Sequence, residues 1–165
     1  VKSVNLRLLR RGLLVAAVLA VAVAAWFGWS WRAAAQDDEL TRARERDDVL
    51  STASTALTAL NTVDHRTVQF DYDRWLQVST GQFGKDLAAD REEHVRRTGE
   101  TRTMATASVR QAALVELLPD TARLVAVLDV RIGINDEPPV PNRSRLAVEL
   151  TRTEQGWKVS AVQAG

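Results

Sequence analysis

The sequence predicts an α+β domain held on a single membrane-spanning helix, and three observations predict it. Residues 13–31, LLVAAVLAVAVAAWFGWSW, carry no charge over a length that crosses a bilayer. Residues 37–97 repeat their apolar positions at helical spacing. From residue 103 the period shortens to two, the alternation of half-buried strands.

The uncharged run has the composition of a span. Eight of its side chains are Leu, Val or Phe, each favouring insertion by about 0.3–0.6 kcal/mol, roughly −3 kcal/mol together. Trp26, Trp29 and Trp31 gather at one end, before Arg32, as an interfacial belt. Ala17, Ala20, Ala24 and Gly28 form a small-residue stripe that permits close approach of another membrane helix. Ala33 to Ala35 resemble a signal-peptide cleavage site, but the run exceeds a signal peptide's apolar core and the bulky tryptophans lie just upstream, so an uncleaved anchor is expected. Lys2, Arg7, Arg10 and Arg11 sit on a short tail against the span and favour a cytoplasmic N-terminus. Arg32, Arg42, Arg44 and Arg46 equal them in number, but on a long translocated segment rich in Asp and Glu they count for less. The expected division is a tail at 1–11, the transmembrane helix at 12–32, a juxtamembrane helix at 33–62 and an extracytoplasmic α+β domain at 63–165 of the plasma-membrane protein.

About 130 residues beyond the span suffice for one domain. The formal net charge of +1, with Arg intermixed among Asp and Glu, offers no basic field for nucleic acid. Without cysteine the chain has no disulfide, no thiolate nucleophile and no cysteine metal site.

Leu40, Ala43, Leu50, Ala53, Leu57 and Leu60 give residues 37–61 a narrow apolar helix face. Residues 64–97 read as two more helices, with Trp75 and Val78 on the first, Gly81 as its C-terminal cap, and a weaker pattern of Phe83, Leu87 and Val95 beyond. Gly99 closes the helical half. Four strands then follow at 103–118, 122–134, 143–153 and 157–163. In the second strand Leu124, Ala126, Leu128, Val130, Ile132 and Ile134 share the core face, opposite Asp129, Arg131 and Gly133. Leu146, Val148 and Leu150 repeat that pattern in the third. Turns at Pro119-Asp120 and Gln155-Gly156, with a proline-rich connection at 135–142, make the sheet an antiparallel meander.

Acid–base chemistry would fall to His65, Asp71, Tyr72, Asp73, His94 or Asp129, and these form no convincing set. The two histidines are far apart in sequence, and His94 belongs to the charged run REEHVRR. Asp71 and Asp73 are suited to opening a helix as N-caps. No metal-ligand spacing occurs. No enzymatic activity, cofactor or metal is expected.

Asp73 with Thr80-Gly81-x-Phe83, the strand-rich half and the closing Gly156-Trp157-x-Val159, in that order behind a basic tail and one span, together resemble the Mce-associated membrane proteins of high-GC Gram-positive bacteria. The resemblance implies a nuclear transport factor 2-like, cystatin-like outer domain, a curved four-stranded antiparallel sheet around helices, similar in layout to the periplasmic bridging subunit of type IV secretion systems. It implies a non-catalytic accessory role in an Mce-type lipid importer, with the permease, ATPase and substrate-binding proteins as partners. The alternative is a binding module for a lipid or other apolar ligand. An open apolar cavity between sheet and helices would favour that alternative, whereas a space filled by Trp75, Phe83 and Trp157 would favour the accessory subunit.

Overall fold

The structure, a computed structural model, describes the backbone of residues 6–165 and the side chains from residue 39 onward, with those of residues 20, 21 and 23–27. Its elements are α1 (Leu6–Leu60), β1 (Val63–Asp64), α2 (Val68–Val78), α3 (Gly81–Ala89), α4 (Arg91–Glu100), β2 (Met104–Leu117), β3 (Thr121–Gly133), β4 (Val140–Thr153) and β5 (Gly156–Ala164). They fall into two units, Val1–Arg44 and Glu45–Gly165.

In the first unit Ala20, Val21, Val23, Ala24, Trp26 and Phe27 are exposed on α1. Ala17, Gly28, Trp29 and Trp31 lie outside the described side chains. Among the described residues no helix is long and apolar enough to cross a membrane. Most of the run 13–31 falls outside those residues.

The second unit is an antiparallel sheet in the order β1-β2-β3-β4-β5, one face covered by helices. The sheet has five strands, not four, because Val63 and Asp64 pair with Ala105 and Met104 at its edge. Two residues are too few to show a period, so β1 leaves no alternation to read. Bulges between Val109 and Gln111, Leu114 and Glu116, and Glu149 and Leu150 insert extra residues and bend the ladder.

The core lies between the end of α1 and the inner face of β3, β4 and β5. Val49, Ala53, Ala56 and Leu57 of α1 meet Leu124, Ala126, Leu128, Leu146, Val148, Leu150, Trp157 and Val159 in one cluster. Burial on α1 starts at Val49; Leu40 is 54% exposed and Ala43 is exposed as well, which corrects the expected face. Leu40 and Ala43 belong to the first unit, whereas the buried face of α1 belongs to the second. In β3 the alternation holds through Val130 and then fails: Ile132 and Ile134 are exposed while Gly133 is buried. The loop after β3 folds back on that glycine, with the Glu137 carbonyl placed where a side chain would begin.

Three helices, not two, occupy residues 68–100. Gly81 does not cap α2, whose C-cap is Ser79; it opens α3 with φ +63° behind Thr80. Asp71 and Asp73 lie inside α2, which begins at Val68, and so are not N-caps. The connection expected at 135–142 is shorter, since β4 already starts at Val140 and Pro141 sits opposite Arg131. Proline is tolerated there because β5 pairs with β4 only from Leu146, leaving Pro141 without a ladder partner on its other side.

Replacing Gly133 with Ala brings the new Cβ to 2.7 Å from the Glu137 carbonyl oxygen, so backbone must move. A loss of about 1–3 kcal/mol is expected in urea unfolding followed by circular dichroism. Gly99→Ala meets no atom within 4 Å and should stabilise by about 0.4–1 kcal/mol. The opposite order would contradict the packing at Gly133.

Candidate functional site

The two motif segments, far apart in sequence, meet at the β5 edge. The turn between α2 and α3 is extended at Ser79 and Thr80, so it lies beside β5 as a single parallel bridge, Ser79 to Val159. The Thr80 N–H donates to the Val159 carbonyl at 2.8 Å. The Ser79 hydroxyl turns back to the Trp75 carbonyl at 2.7 Å, satisfying an open acceptor at the end of α2. Gly81 then reverses the chain at positive φ, a conformation glycine adopts without a Cβ penalty. Phe83 on α3 packs half-buried against the core. Gly156, at φ +103°, makes the β4–β5 turn, and Trp157 is buried immediately after it.

Arg152 joins this site to α1. Its guanidinium stacks 4.6 Å from the centre of the Trp157 ring and pairs with Glu45. A cation over an indole face is worth about 0.5–2 kcal/mol. Asp73 is not part of this meeting point. Its carboxylate pairs with Arg91 at 2.6 Å, linking α2 to the start of α4 on the surface.

Of the remaining acid–base candidates, Asp71 and Tyr72 have structural partners. Asp71 is buried, and its Oδ2 accepts from the Asp64 N–H at 3.0 Å and the Thr67 hydroxyl at 3.1 Å. It closes the turn that leads into α2. Tyr72 is fully buried, its hydroxyl donating to the Leu87 carbonyl at 2.7 Å and its ring 5.0 Å from Trp75. Burial first, and then the Asp90 charge, raise its pKa above the ordinary phenol value against a smaller opposing effect of Arg91, which keeps the hydroxyl a donor. The Trp75 Nε1–H caps α1 by donating to the Ala59 carbonyl at 2.7 Å. His65 Nδ1 is buried without a hydrogen-bond partner, 3.6 Å from Asp64 Oδ1. His94 is exposed on α4. Among the described residues no cluster of His, Cys, Asp or Glu could hold a metal ion.

On the face of the sheet away from the helices runs a groove of about 720 Å³, lined by Thr106, Ser108, Asp129, Arg131, Pro141 and Arg143 among others. These six share one face because Thr106, Arg131 and Pro141 stand in one rung of β2, β3 and β4, and Ser108, Asp129 and Arg143 in another. Asp129 accepts from Arg143 Nε at 3.0 Å and Arg110 Nη1 at 3.3 Å. The Arg143 hydrogen bond holds its carboxyl below the usual range; desolvation, the next largest effect, opposes it, and a weaker bond from Arg110 and the charges of both arginines add to the lowering. Sequence reasoning placed Asp129 and Arg131 on this outer face and missed Arg110 and Arg143, the two arginines that bond to Asp129. The signal was available in the register of the polar positions of β3 and β4.

No family model matches this sequence, and no curated protein matches it either. Solved structures do resemble the fold. An IcmL-like type IV secretion system protein from Legionella pneumophila is 15% identical with a TM-score of 0.59, covering 74% of this chain and 91% of its own. CagV, a VirB8 homologue from Helicobacter pylori, gives 14% identity and a TM-score of 0.57 over 72% of this chain and 96% of its own. The Agrobacterium tumefaciens VirB8 protein gives 12% identity and a TM-score of 0.54 over 74% and 92%. The fold is therefore the nuclear transport factor 2-like α+β class of these secretion-system domains.

Thr80→Pro removes the N–H that holds the α2–α3 turn on β5 and should cost at least about 1–3 kcal/mol. Thr80→Ala, whose lost hydroxyl makes no capping bond, should stay within about 0.5 kcal/mol. Equal effects of the two in thermal unfolding would refute the main-chain tether.

Proposed function

We propose that the chain is a non-enzymatic accessory subunit, anchored by residues 12–32 in the bacterial plasma membrane, whose outer domain stabilises or helps assemble an Mce-type lipid import complex. The observation that carries this reading is the fold, which occurs in proteins described as parts of type IV secretion systems, combined with the uncharged run and basic tail of the sequence. The way the candidate side chains are used supports it. Asp71, Tyr72 and Trp75 spend their polar atoms on main-chain groups and turns, and the space between helices and sheet holds the fully buried Leu57, Leu124, Leu128 and Leu150. The N-terminus lies in the cytoplasm and the domain outside. In the span, Ala17, Ala20, Ala24 and Gly28 face a neighbouring membrane helix.

Tagged full-length protein, purified in mild detergent from its native membrane, should bring a permease, an ATPase and Mce-type substrate-binding proteins in fixed ratio. Recovery of secretion-system subunits would reassign the complex. Recovery alone, with an extractable lipid in the domain, would overturn the subunit reading in favour of a lipid-binding module. Ala20→Leu combined with Ala24→Leu should lower partner recovery about tenfold if small residues make the contact, and unchanged recovery would remove the span from the interface.

A further inference from the structure

The groove on the outer sheet face carries polar groups unbalanced in charge on a lining that is otherwise largely apolar. Three arginines, Arg110, Arg131 and Arg143, surround one carboxylate, Asp129, and two of them already share it. Arg131 pairs with no carboxylate among the described residues, and the hydroxyls of Thr106 and Ser108 and the amide of Asn142 make no hydrogen bond there. The local excess is two positive charges, presented on rigid strands rather than on a loop.

We propose that this groove receives an extended, carboxylate-rich segment of a partner subunit. The inference deepens the accessory-subunit reading and rests on it. Guanidinium groups bind carboxylates through charge-assisted N–H donors, and at Asp129 two arginines each donate one such bond, to different carboxylate oxygens. A second carboxylate reaching Arg131, with Ser108 and Asn142 as neutral donors alongside, completes the set. Charge complementarity is the argument for an acidic occupant. Size is the argument for a polypeptide: about 720 Å³ exceeds what a lone phosphate fills. The arginines also favour a protein partner, since Arg is enriched at protein interfaces and Lys is depleted.

The test places p-benzoylphenylalanine at Ser108 or at Asn142 in the full-length chain, with Glu92 on α4 as the control position, and irradiates native membranes. The expected product, from both groove positions and not from the control, is an adduct to a different polypeptide whose cross-linked peptide carries several Asp or Glu residues. Arg131→Glu with Arg143→Glu should reduce its yield about tenfold, and Asp129→Asn, which removes the internal competitor, should raise it. An adduct to lipid, to a second copy of this chain or to a neutral peptide overturns the proposal. So does the absence of any adduct while partners still copurify, and in that case the subunit reading stands. Absence of copurifying partners overturns both.

Discussion

Everything in the α+β domain depends on one contact, the seating of the last turns of α1 on the inner face of a bent sheet. Ala53 and Ala56 on the helix face a sheet surface that includes Ala122 and Ala126, all nearly or completely buried. Small side chains at those points let the helix come close, and Leu57, Leu124, Leu128 and Leu150 fill the space around them. Each fully buried aliphatic side chain contributes about 1.5–3 kcal/mol. Close packing makes that contribution sensitive to single methylene groups. The register of the sheet is fixed by the same contact, because slipping any strand by one residue would turn its apolar set to solvent.

The helices after α1 are held by polar atoms at their ends. Trp75 reaches back to α1, Tyr72 reaches forward to α3, and the extended turn at Thr80 attaches to β5. The motif residues Thr80, Gly81, Gly156 and Val159 thereby act through backbone geometry: two positive-φ glycines and a main-chain hydrogen bond. Trp157 and Phe83 supply the packing around them. Such a site stiffens the junction of hairpin, helix and α1, which suits a domain that presents a surface more than one that turns over a substrate.

The four long strands were legible because alternation over 9 to 14 residues is a strong signal. Beginnings and ends were less so. Leu40 and Ala43 matched the helical period of α1, but period alone does not say which turns of a helix are buried, and burial starts only at Val49. Ile132 and Ile134 failed at the end of β3, where the following loop folds over Gly133 and buries the opposite face. Gly81 carried the right cue, positive φ, with the wrong assignment, since the same conformation serves to leave one helix or to enter the next. The outer groove was half visible: Asp129 was placed on the correct face, and its arginine partners emerge only once the strand register puts β2 and β4 on either side of it.

The absence of cysteine from the sequence makes the arrangement of anchor and domain directly measurable. A single Glu92→Cys substitution, on the exposed side of α4, introduces one reactive thiol that a membrane-impermeant maleimide reaches only from outside. Full-length protein in intact cells should be labelled as fully as protein in lysed cells. Labelling that appears only after lysis would put the domain on the cytoplasmic side and contradict the proposed role of an external subunit.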